Sequence, residues 1–131
     1  MLSKVVLVTG ASRGIGAQVC RALASEGYSI ALNYNRSFDA AKKLADELKS
    51  TADVELFQAD VSDPDEVRKM FSELIERFGR IDALVNNAGI SQQALITEIT
   101  DDMWLDVINT NLGGTFYCCR EALKFMIPAH S

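Results

Sequence analysis

Thr9-Gly10-Ala11-Ser12-Arg13-Gly14-Ile15-Gly16 is the stretch that decides how this chain of 131 residues folds. It follows an apolar run over residues 4–9, typical of a parallel strand buried on both faces, and it opens a helical pattern. Gly10 would allow a tight turn, Gly14 would let a backbone approach a diphosphate, and Gly16 would let the helix pack close to the sheet. The glycine spacing is one residue longer than the usual dinucleotide fingerprint. The stretch predicts a dinucleotide site at a helix N-terminus, with a purely structural turn as the alternative.

The rest of the chain alternates short β-branched runs with longer helical patterns. Strands are predicted over residues 4–9, 28–34, 54–59 and 81–86. Helices are predicted over residues 15–26, 38–48 and 64–78, and a long helical stretch over 100–127 is interrupted near Gly113-Gly114 and closed by Pro128. Strands separated by such helices form right-handed βαβ units. The fold class predicted is α/β, a three-layer doubly wound parallel sheet of the Rossmann type with strand order 3-2-1-4.

Two helices carry clear end signals, and the first helix shows an apolar stripe. Asp63 is the expected N-cap of the third helix, and Glu66 is its expected partner in a capping box. Thr100 or Asp101 is expected to cap the last helical stretch. The first-helix residues that recur at helical spacing, and are therefore expected in the core, are Ile15, Val19, Ala22 and Leu23.

The number of predicted strands indicates an incomplete sheet. A crossover helix that never returns to the sheet would leave the fourth strand as an exposed apolar edge. We therefore expect residues 1–131 to be a dinucleotide-binding domain that forms the first part of a larger fold. The 101–127 helix is apolar on several sides, which indicates that a partner molecule or further strands cover it.

Composition narrows the class of protein. The net charge is −5, from 13 Lys and Arg against 18 Asp and Glu, so neither nucleic acid nor an anionic membrane surface is an expected partner. No apolar run approaches a membrane span, and Met1–Val8 lacks the features of a signal peptide. Three cysteines fit a reducing cytoplasm, with Cys118 and Cys119 expected as buried small apolar residues. A single histidine and no paired cysteine spacing argue against a metal site.

The end of the second strand bears on which nucleotide is bound. An acidic residue there would hold a ribose 2′-hydroxyl, but the sequence is Asn33-Tyr34-Asn35-Arg36-Ser37. Arg13 and Arg36 instead suit a 2′-phosphate, which favours NADP(H) over NAD(H). Two solvated surface arginines are the alternative. The candidate cofactor residues in these two segments are Gly10, Ser12, Arg13, Gly14, Ile15, Gly16, Asn35 and Arg36.

Further motifs along the chain make the sequence resemble the short-chain dehydrogenase/reductase family. Thr9–Gly16 and Asn86-Asn87-Ala88-Gly89 carry the resemblance, and Asp60-Val61 and Asn109-Thr110-Asn111 strengthen it. All four motifs occur in order and at fitting spacings over the whole chain. Within the family, the turn and the Asn33-Tyr34 strand end look most like the 3-oxoacyl-[acyl-carrier-protein] reductase type.

The resemblance implies a role for each of these residues. Asp60 would bind the adenine amino group and Val61 would lie under the ring, whereas Asn87, Ala88 and Gly89 would line the nicotinamide ribose. Asn86 would brace the fourth strand. Asn111 would be a catalytic residue that helps to hold a water in a proton relay. The alternatives are a turn residue or cap at Asp60, a strand-to-loop corner at Asn86-Asn87 and a helix irregularity at Asn111.

The resemblance also implies an activity, from which this chain departs. The family is expected to use NADPH to reduce a small-molecule or acyl-carrier-protein-linked ketone, and to form dimers or tetramers through the region of the 101–127 helix. It supplies the proton from a tyrosine four residues before a lysine. In this chain the residues four positions after Tyr28, Tyr34 and Tyr117 are Leu32, Phe38 and Glu121, so none is a lysine. This chain alone is expected to bind cofactor weakly and not to turn over. The alternatives are a non-catalytic NADP(H)-binding or dimerising module, and a family member that acts on a sugar, steroid or other alcohol.

Overall fold

A computed structural model describes residues 3–130 of the chain. In these residues four parallel strands form one sheet in the order β3-β2-β1-β4, which confirms the predicted fold class and strand order. The strands are β1 (Val5–Val8), β2 (Ser29–Tyr34), β3 (Val54–Gln58) and β4 (Ala83–Val85). The expectation about a signal peptide falls partly on Met1 and Leu2, which lie outside the described residues.

The helices flank the sheet and follow the predicted order. They are α1 (Gly14–Ser25), α2 (Phe38–Leu48), α3 (Pro64–Phe78), α4 (Asp101–Val107) and α5 (Gly114–Ala129). A 3-10 turn covers Ile96–Glu98, and a π-helical segment, Ile108–Gly113, joins α4 to α5. No helix among residues 3–130 is both long enough and apolar enough to pass through a membrane.

The core lies on both faces of the sheet, because successive residues of a strand point to opposite sides. Leu7 of β1 packs in one cluster with Phe71 of α3 and Cys118 of α5. Val6 packs in a second cluster, with Leu44 of α2 and residues of α1. All four residues of β1 are buried, as the continuous apolar run predicts.

The fourth strand is shorter than its predicted span of 81–86. It pairs only with β1, through Leu84 opposite Leu7 and two flanking pairs, so it forms an edge of the sheet. Its three residues are half-buried. The edge expected from the sequence is therefore present within residues 3–130, but its side chains are half-buried rather than fully exposed.

The expected core stripe of α1 is wrong in part. Ile15 is 77% exposed and Ala22 is also exposed, whereas the buried residues are Gly16, Ala17, Cys20 and Ala24, with Val19 and Leu23 partly buried. Since each residue turns an α-helix by about 100°, Ile15 and Ala22 lie on the face opposite Ala17 and Ala24. The face of α1 that packs on the protein therefore carries small side chains.

The long helical stretch is not continuous, and its end also differs from the prediction. The interruption predicted near Gly113-Gly114 is the π-helical segment, in which the backbone turn takes in an extra residue. Pro128 does not close α5, because the fixed φ of proline is itself helical. The helix runs to Ala129 and ends where His130 adopts a left-handed φ of 56°.

Two helix caps agree with the sequence, and one detail does not. Oδ1 of Asp63 accepts hydrogen bonds from the backbone N–H groups of Asp65 and Glu66, and Oγ1 of Thr100 accepts one from Met103. The Glu66 carboxylate does not return to the Asp63 backbone as a capping box would. It accepts instead from the backbone N–H of Asp60, at 3.1 Å. A helix cap is thereby joined to the segment that follows β3.

Candidate dinucleotide-binding site

A cavity of about 580 Å³ lies where the carboxyl ends of the strands meet. This edge is where open α/β sheets bind ligands. The segment that follows each strand contributes predicted residues to the cavity lining. They are Gly10, Ser12, Asn35, Arg36, Asp60, Val61, Asn87, Ala88 and Gly89. The fold therefore brings together residues that are up to 79 positions apart in the sequence.

The remaining predicted residues lie beside this cavity and do not line it. Arg13, Gly14 and Ile15 line a neighbouring hollow between α1 and α2 that Ser12 shares. Gly16 is buried in the first turn of α1, and Asn111 lies in the π-helical segment. No group of three or more His, Cys, Asp or Glu side chains suited to a metal ion occurs within residues 3–130.

The glycines of the turn after β1 serve three different geometric needs. Gly10 has φ of 58°, and a Cβ there would lie 2.7 Å from the Cα of Ala88. A Cβ on Gly16 would lie 2.4 Å from Nδ2 of Asn87, so only glycine permits this approach. Gly14 has φ of 62°, and a Cβ there would meet nothing within 4 Å. Gly14 thus faces open space, so a methyl added there would contact no protein atom, although the positive φ would strain the backbone of any other residue.

The first turn of α1 is prepared for an anion. The N–H groups of Gly14, Ile15 and Gly16 have no acceptor within the helix, since the first groups of any helix lack one. The extended N-cap, Arg13, makes no side-chain hydrogen bond to them. Helices α2, α3 and α4 each carry an acidic residue in the first turn, whereas α1 has none. The positive end of the α1 dipole is therefore left uncompensated.

Two arginines lie near the start of α2, Arg13 from the turn after β1 and Arg36 from the segment after β2. Nη2 of Arg13 donates to Oγ of Ser37 at 3.0 Å, which connects the turn after β1 to the start of α2. Arg36 lines the cavity, and Asn35 is held there by Nε2 of Gln58, which donates to its backbone oxygen at 3.1 Å. Neither arginine forms an ion pair within residues 3–130, so both guanidinium groups are available to an anion.

Asp60 is both a turn residue and a residue of the cavity wall. One carboxylate oxygen, Oδ1, accepts from the backbone N–H of Ser62 at 3.0 Å and from its hydroxyl at 2.7 Å. The turn role left open by the sequence is therefore present. Val61 beside it is buried, and a Cβ on Gly114 would lie 2.6 Å from Val61 Cγ2. Gly114, which follows the predicted interruption of the helix, also lets α5 pack against this wall.

Asn87 ties the end of β4 to the turn after β1. Its Nδ2 donates to the backbone oxygens of Thr9 and Gly10, at 3.1 and 2.9 Å. The buried hydroxyl of Thr9 accepts in return from the backbone N–H groups of Asn87 and Ala88, both at 3.0 Å. Asn86 points elsewhere, and its Nδ2 donates to Sγ of Cys119 on α5 at 3.4 Å.

Asn111 is exposed and holds one backbone position through both ends of its side chain. Its Oδ1 accepts from the N–H of Ile90 at 2.8 Å, and its Nδ2 donates to the Ile90 oxygen at 2.9 Å. A Cβ on Gly89 would lie 3.2 Å from Asn111 Oδ1. The π-helical segment thus fixes the loop that leaves the cavity wall at Gly89. The helix irregularity considered from the sequence exists, and it serves this contact.

Four residues shape the site although they are not among the site residues predicted from the sequence: Thr9, Asn33, Ser37 and Gly114. Thr9 and Asn33 are 2% and 1% exposed, which is unusual for polar residues at the ends of strands. A polar residue that closes an apolar run is a signal visible in the sequence, and it could have identified both. Ser37 and Gly114 have no such signal, because their partners Arg13 and Val61 lie in distant segments.

Comparison with known proteins gives a consistent result. A family model described as short chain dehydrogenase matches residues 4–131. The chain is 44% identical over 131 residues to the 3-oxoacyl-[acyl-carrier-protein] reductase FabG of Staphylococcus aureus, covering 99% of this chain and 53% of that protein. It is 42% identical to versicolorin reductase stcU of Emericella nidulans, over 94% of this chain and 47% of that protein.

A third relative is the 3beta-hydroxysteroid dehydrogenase of Mediterraneibacter gnavus, which is 41% identical over 96% of this chain and 46% of that protein. The chain spans about half the length of the curated relatives it matches. The family match extends from β1 to the end of α5 and so includes every segment that lines the cavity. The chain belongs to the short chain dehydrogenase family.

Proposed function

We propose that residues 1–131 are the dinucleotide-binding part of an NADP(H)-dependent reductase, which converts a 3-oxoacyl group on acyl carrier protein to the 3-hydroxyacyl form. One observation carries the proposal. The turn after β1, the Asp60-Val61 wall and the Asn87–Gly89 segment surround one cavity at the carboxyl edge of the sheet, and the uncompensated first turn of α1 lies beside it. Such an edge, with a glycine-rich turn, suits an extended anionic nucleotide.

The residues present fit a bound dinucleotide. The free N–H groups at Gly14, Ile15 and Gly16 would hold the diphosphate, and the open space at Gly14 would admit it. Asp60 and Val61 would hold the adenine, and Asn87, Ala88 and Gly89 the nicotinamide ribose. When bound, NADPH supplies the hydride that reduces a carbonyl carbon. Asn111 is proposed as the residue of this chain that belongs to the catalytic set.

NADP(H) is preferred to NAD(H) in this proposal because of the charges near the start of α2. The Arg13 guanidinium donates a hydrogen bond to Ser37, and Arg36, the residue before Ser37 in the chain, lines the cavity. Guanidinium groups bind phosphate through charge-assisted hydrogen bonds, whereas a ribose 2′-hydroxyl calls for a carboxylate. Residues 33–37 contain no carboxylate.

The substrate class rests on similarity between proteins. The 3-oxoacyl reductase relative is 44% identical, and the reductase of versicolorin and the hydroxysteroid dehydrogenase follow at 42% and 41%. These small differences support a second candidate, an enzyme of the same family that acts on a steroid or another cyclic ketone or alcohol. A comparison of acyl thioesters with steroid ketones as substrates separates the two.

We also propose that the protein forms a homo-oligomer through the 101–127 region and that it works in the cytoplasm. Phe116, Leu123 and Ile127 are spaced by seven and four residues, so they share one face of α5, and each is at least 48% exposed. Trp104 and Leu112, before α5, are also exposed. Apolar patches of this kind mark interaction surfaces. The three free thiols fit a reducing compartment.

Titration of the chain with NADPH and NADH by calorimetry tests the proposal. We expect saturable binding of NADPH, weaker binding of NADH, and loss of both in Gly14→Ala. Gly27→Ala is the matched control, because Gly27 also has a positive φ and open space at its Cβ position but lies outside the site. Absence of binding in the wild-type chain and in the longest natural form of the protein would refute the proposal. Binding without thioester or steroid reduction by that longest form would favour a non-catalytic module.

A further inference from the structure

Asn33 is a buried polar residue that connects three strands. It is the next-to-last residue of β2 and is 1% exposed. Its Oδ1 accepts a hydrogen bond from the N–H of Gly10 at 3.0 Å. Its Nδ2 donates to the backbone oxygens of Phe57 and Ala59, at 3.1 and 3.2 Å. One carboxamide thus links the turn that follows β1 to the end of β3.

The backbone around Asn33 strengthens this link. The Asn33 carbonyl accepts from the N–H of Ala11 at 2.9 Å, and the neighbouring Tyr34 carbonyl accepts from the N–H of Ala59 at 3.0 Å. The N–H groups of Gly10 and Ala11 are therefore both directed into the protein. The groups left for a ligand are those that follow, at the start of α1.

The two segments that Asn33 connects lead into two different parts of the proposed nucleotide site. Gly10 begins the turn that ends at the free N–H groups of α1, and Ala59 immediately precedes Asp60. We infer that Asn33 is a positioning residue for the cofactor, whose carboxamide sets the separation between the diphosphate subsite and the adenine subsite. This inference rests on the proposed dinucleotide function.

A carboxamide is suited to this task because it donates and accepts at adjacent atoms. An aspartate at position 33 would still accept from Gly10 but could not donate to Phe57 and Ala59, and its charge would be repelled by their oxygens. A serine would be too short to reach both sides. Either change leaves buried polar groups without a partner and loosens the spacing between the two segments.

A change in the distance between the diphosphate and adenine subsites should weaken a long ligand more than a short one. A ligand that spans both subsites depends on their separation, because its two ends must fit both subsites at once. A ligand that fills only one subsite is indifferent to the distance to the other. NADPH spans both subsites, whereas adenosine 2′-monophosphate fills only the adenine and 2′-phosphate end.

The experiment measures dissociation constants of both ligands for the wild-type chain, Asn33→Asp and Asn33→Ser by calorimetry, at a temperature where circular dichroism shows them folded. We expect NADPH to bind about 10-fold more weakly to the variants, which corresponds to the loss of about one hydrogen bond. Adenosine 2′-monophosphate should change by no more than about twofold, the scatter of independent sites. Leu74→Ala, a buried change in α3 outside the cavity lining, is the control for lost stability and should leave NADPH binding intact.

Each other outcome is decisive. Unchanged NADPH affinity in both variants would overturn the inference, and so would equal losses for the two ligands. A comparable loss in Leu74→Ala would show that Asn33 acts through stability alone, and failure of both Asn33 variants to fold would assign it to the fold. If neither the wild-type chain nor the longest natural form of the protein binds NADPH, the proposed function itself fails, which these other results do not imply.

Discussion

Asn87 and Gly16 lie closer together than any side chain at position 16 would permit. A Cβ on Gly16 would stand 2.4 Å from Asn87 Nδ2 and 2.9 Å from the Gly10 oxygen. Asn87 uses this same nitrogen to donate to the backbone oxygens of Thr9 and Gly10. The missing side chain therefore keeps the end of β4 attached to the turn after β1.

Gly16→Ala should damage the protein although it improves the helix. Alanine favours a helix interior over glycine by about 1 kcal/mol, but here the new methyl group must displace Asn87 from its two hydrogen bonds. We expect a lower free energy of unfolding and weaker NADPH binding, measured by urea denaturation and calorimetry. Gln18→Ala, at an exposed site of the same helix, is the control. A more stable Gly16→Ala protein with normal NADPH affinity would contradict this explanation.

The double variant Arg13→Ala with Arg36→Ala should lose selectivity between nucleotides. A hydrogen bond between charged groups contributes about 1.5–3 kcal/mol, so NADPH affinity should fall at least about tenfold more than NADH affinity. Calorimetric dissociation constants for both ligands measure this. Arg21→Ala removes an arginine that is paired with Glu47 and lies outside the cavity lining, so it should leave the ratio unchanged. Equal losses for both nucleotides in the double variant would refute the 2′-phosphate assignment.

Asp63→Ala should lower the free energy of unfolding by about 1 kcal/mol, because it removes the oxygen that caps α3. Chemical denaturation followed by circular dichroism measures the change. Ser37→Ala is a matched comparison, since Ser37 is the N-cap of α2 but makes no side-chain hydrogen bond to that helix. It should cost less than about 0.5 kcal/mol. Similar losses in the two variants would show that the cap contacts of Asp63 do not stabilise α3.

The cysteines should differ sharply in reactivity. Burial raises the pKa of the Cys20 thiol and of the Cys118 thiol to about 12, so neither forms a thiolate near neutral pH. Cys119 is only half-buried. With an aromatic disulfide reagent at pH 8, the folded chain should release one equivalent rapidly and the unfolded chain three. Cys119→Ser should abolish the rapid phase, and rapid reaction of two or three thiols in the folded chain would contradict the burial of Cys20 and Cys118.

The apolar face of α5 should make the chain associate. Sedimentation over a range of concentrations should show dimers or larger species, which Phe116→Glu with Leu123→Glu should weaken because charges cannot be buried unpaired in an interface. Phe38→Glu, an exposed aromatic position on α2, is the control. A monomer at every concentration, with cooperative unfolding, would contradict the proposed oligomer.

Much of the fold follows from local pattern. The apolar run of β1, the Asp63 N-cap of α3 and the glycine-rich turn between β1 and α1 each occupy contiguous residues, and all are found where the sequence predicts them. Local pattern alone predicts the wrong environment for Ile15. Its spacing fits an apolar stripe, yet it is 77% exposed, because α1 packs through the opposite face, which carries the small residues Ala17, Cys20 and Ala24.

Part of the candidate site could likewise be predicted from the sequence, and part of it could not. The sequence placed Asn87 and Asp60 at the ends of strands, but it gave no indication that Glu66 would bind the Asp60 backbone or that Gly114 would pack on Val61. Those contacts depend on the angle at which a helix meets the sheet. The π-helical turn that directs Asn111 to Ile90 is likewise a product of packing.

By itself, the sequence determined the order of strands and helices, the family, and which strand ends carry polar and glycine residues. It could do so because periodicity, caps and turn residues act within a few positions of one another. Only the tertiary structure decided that Asn33 joins the turn after β1 to the end of β3, and that Gly16 must lack a side chain beside Asn87. Contacts across 23 to 78 positions form when separate segments pack, and their distances are set by that packing.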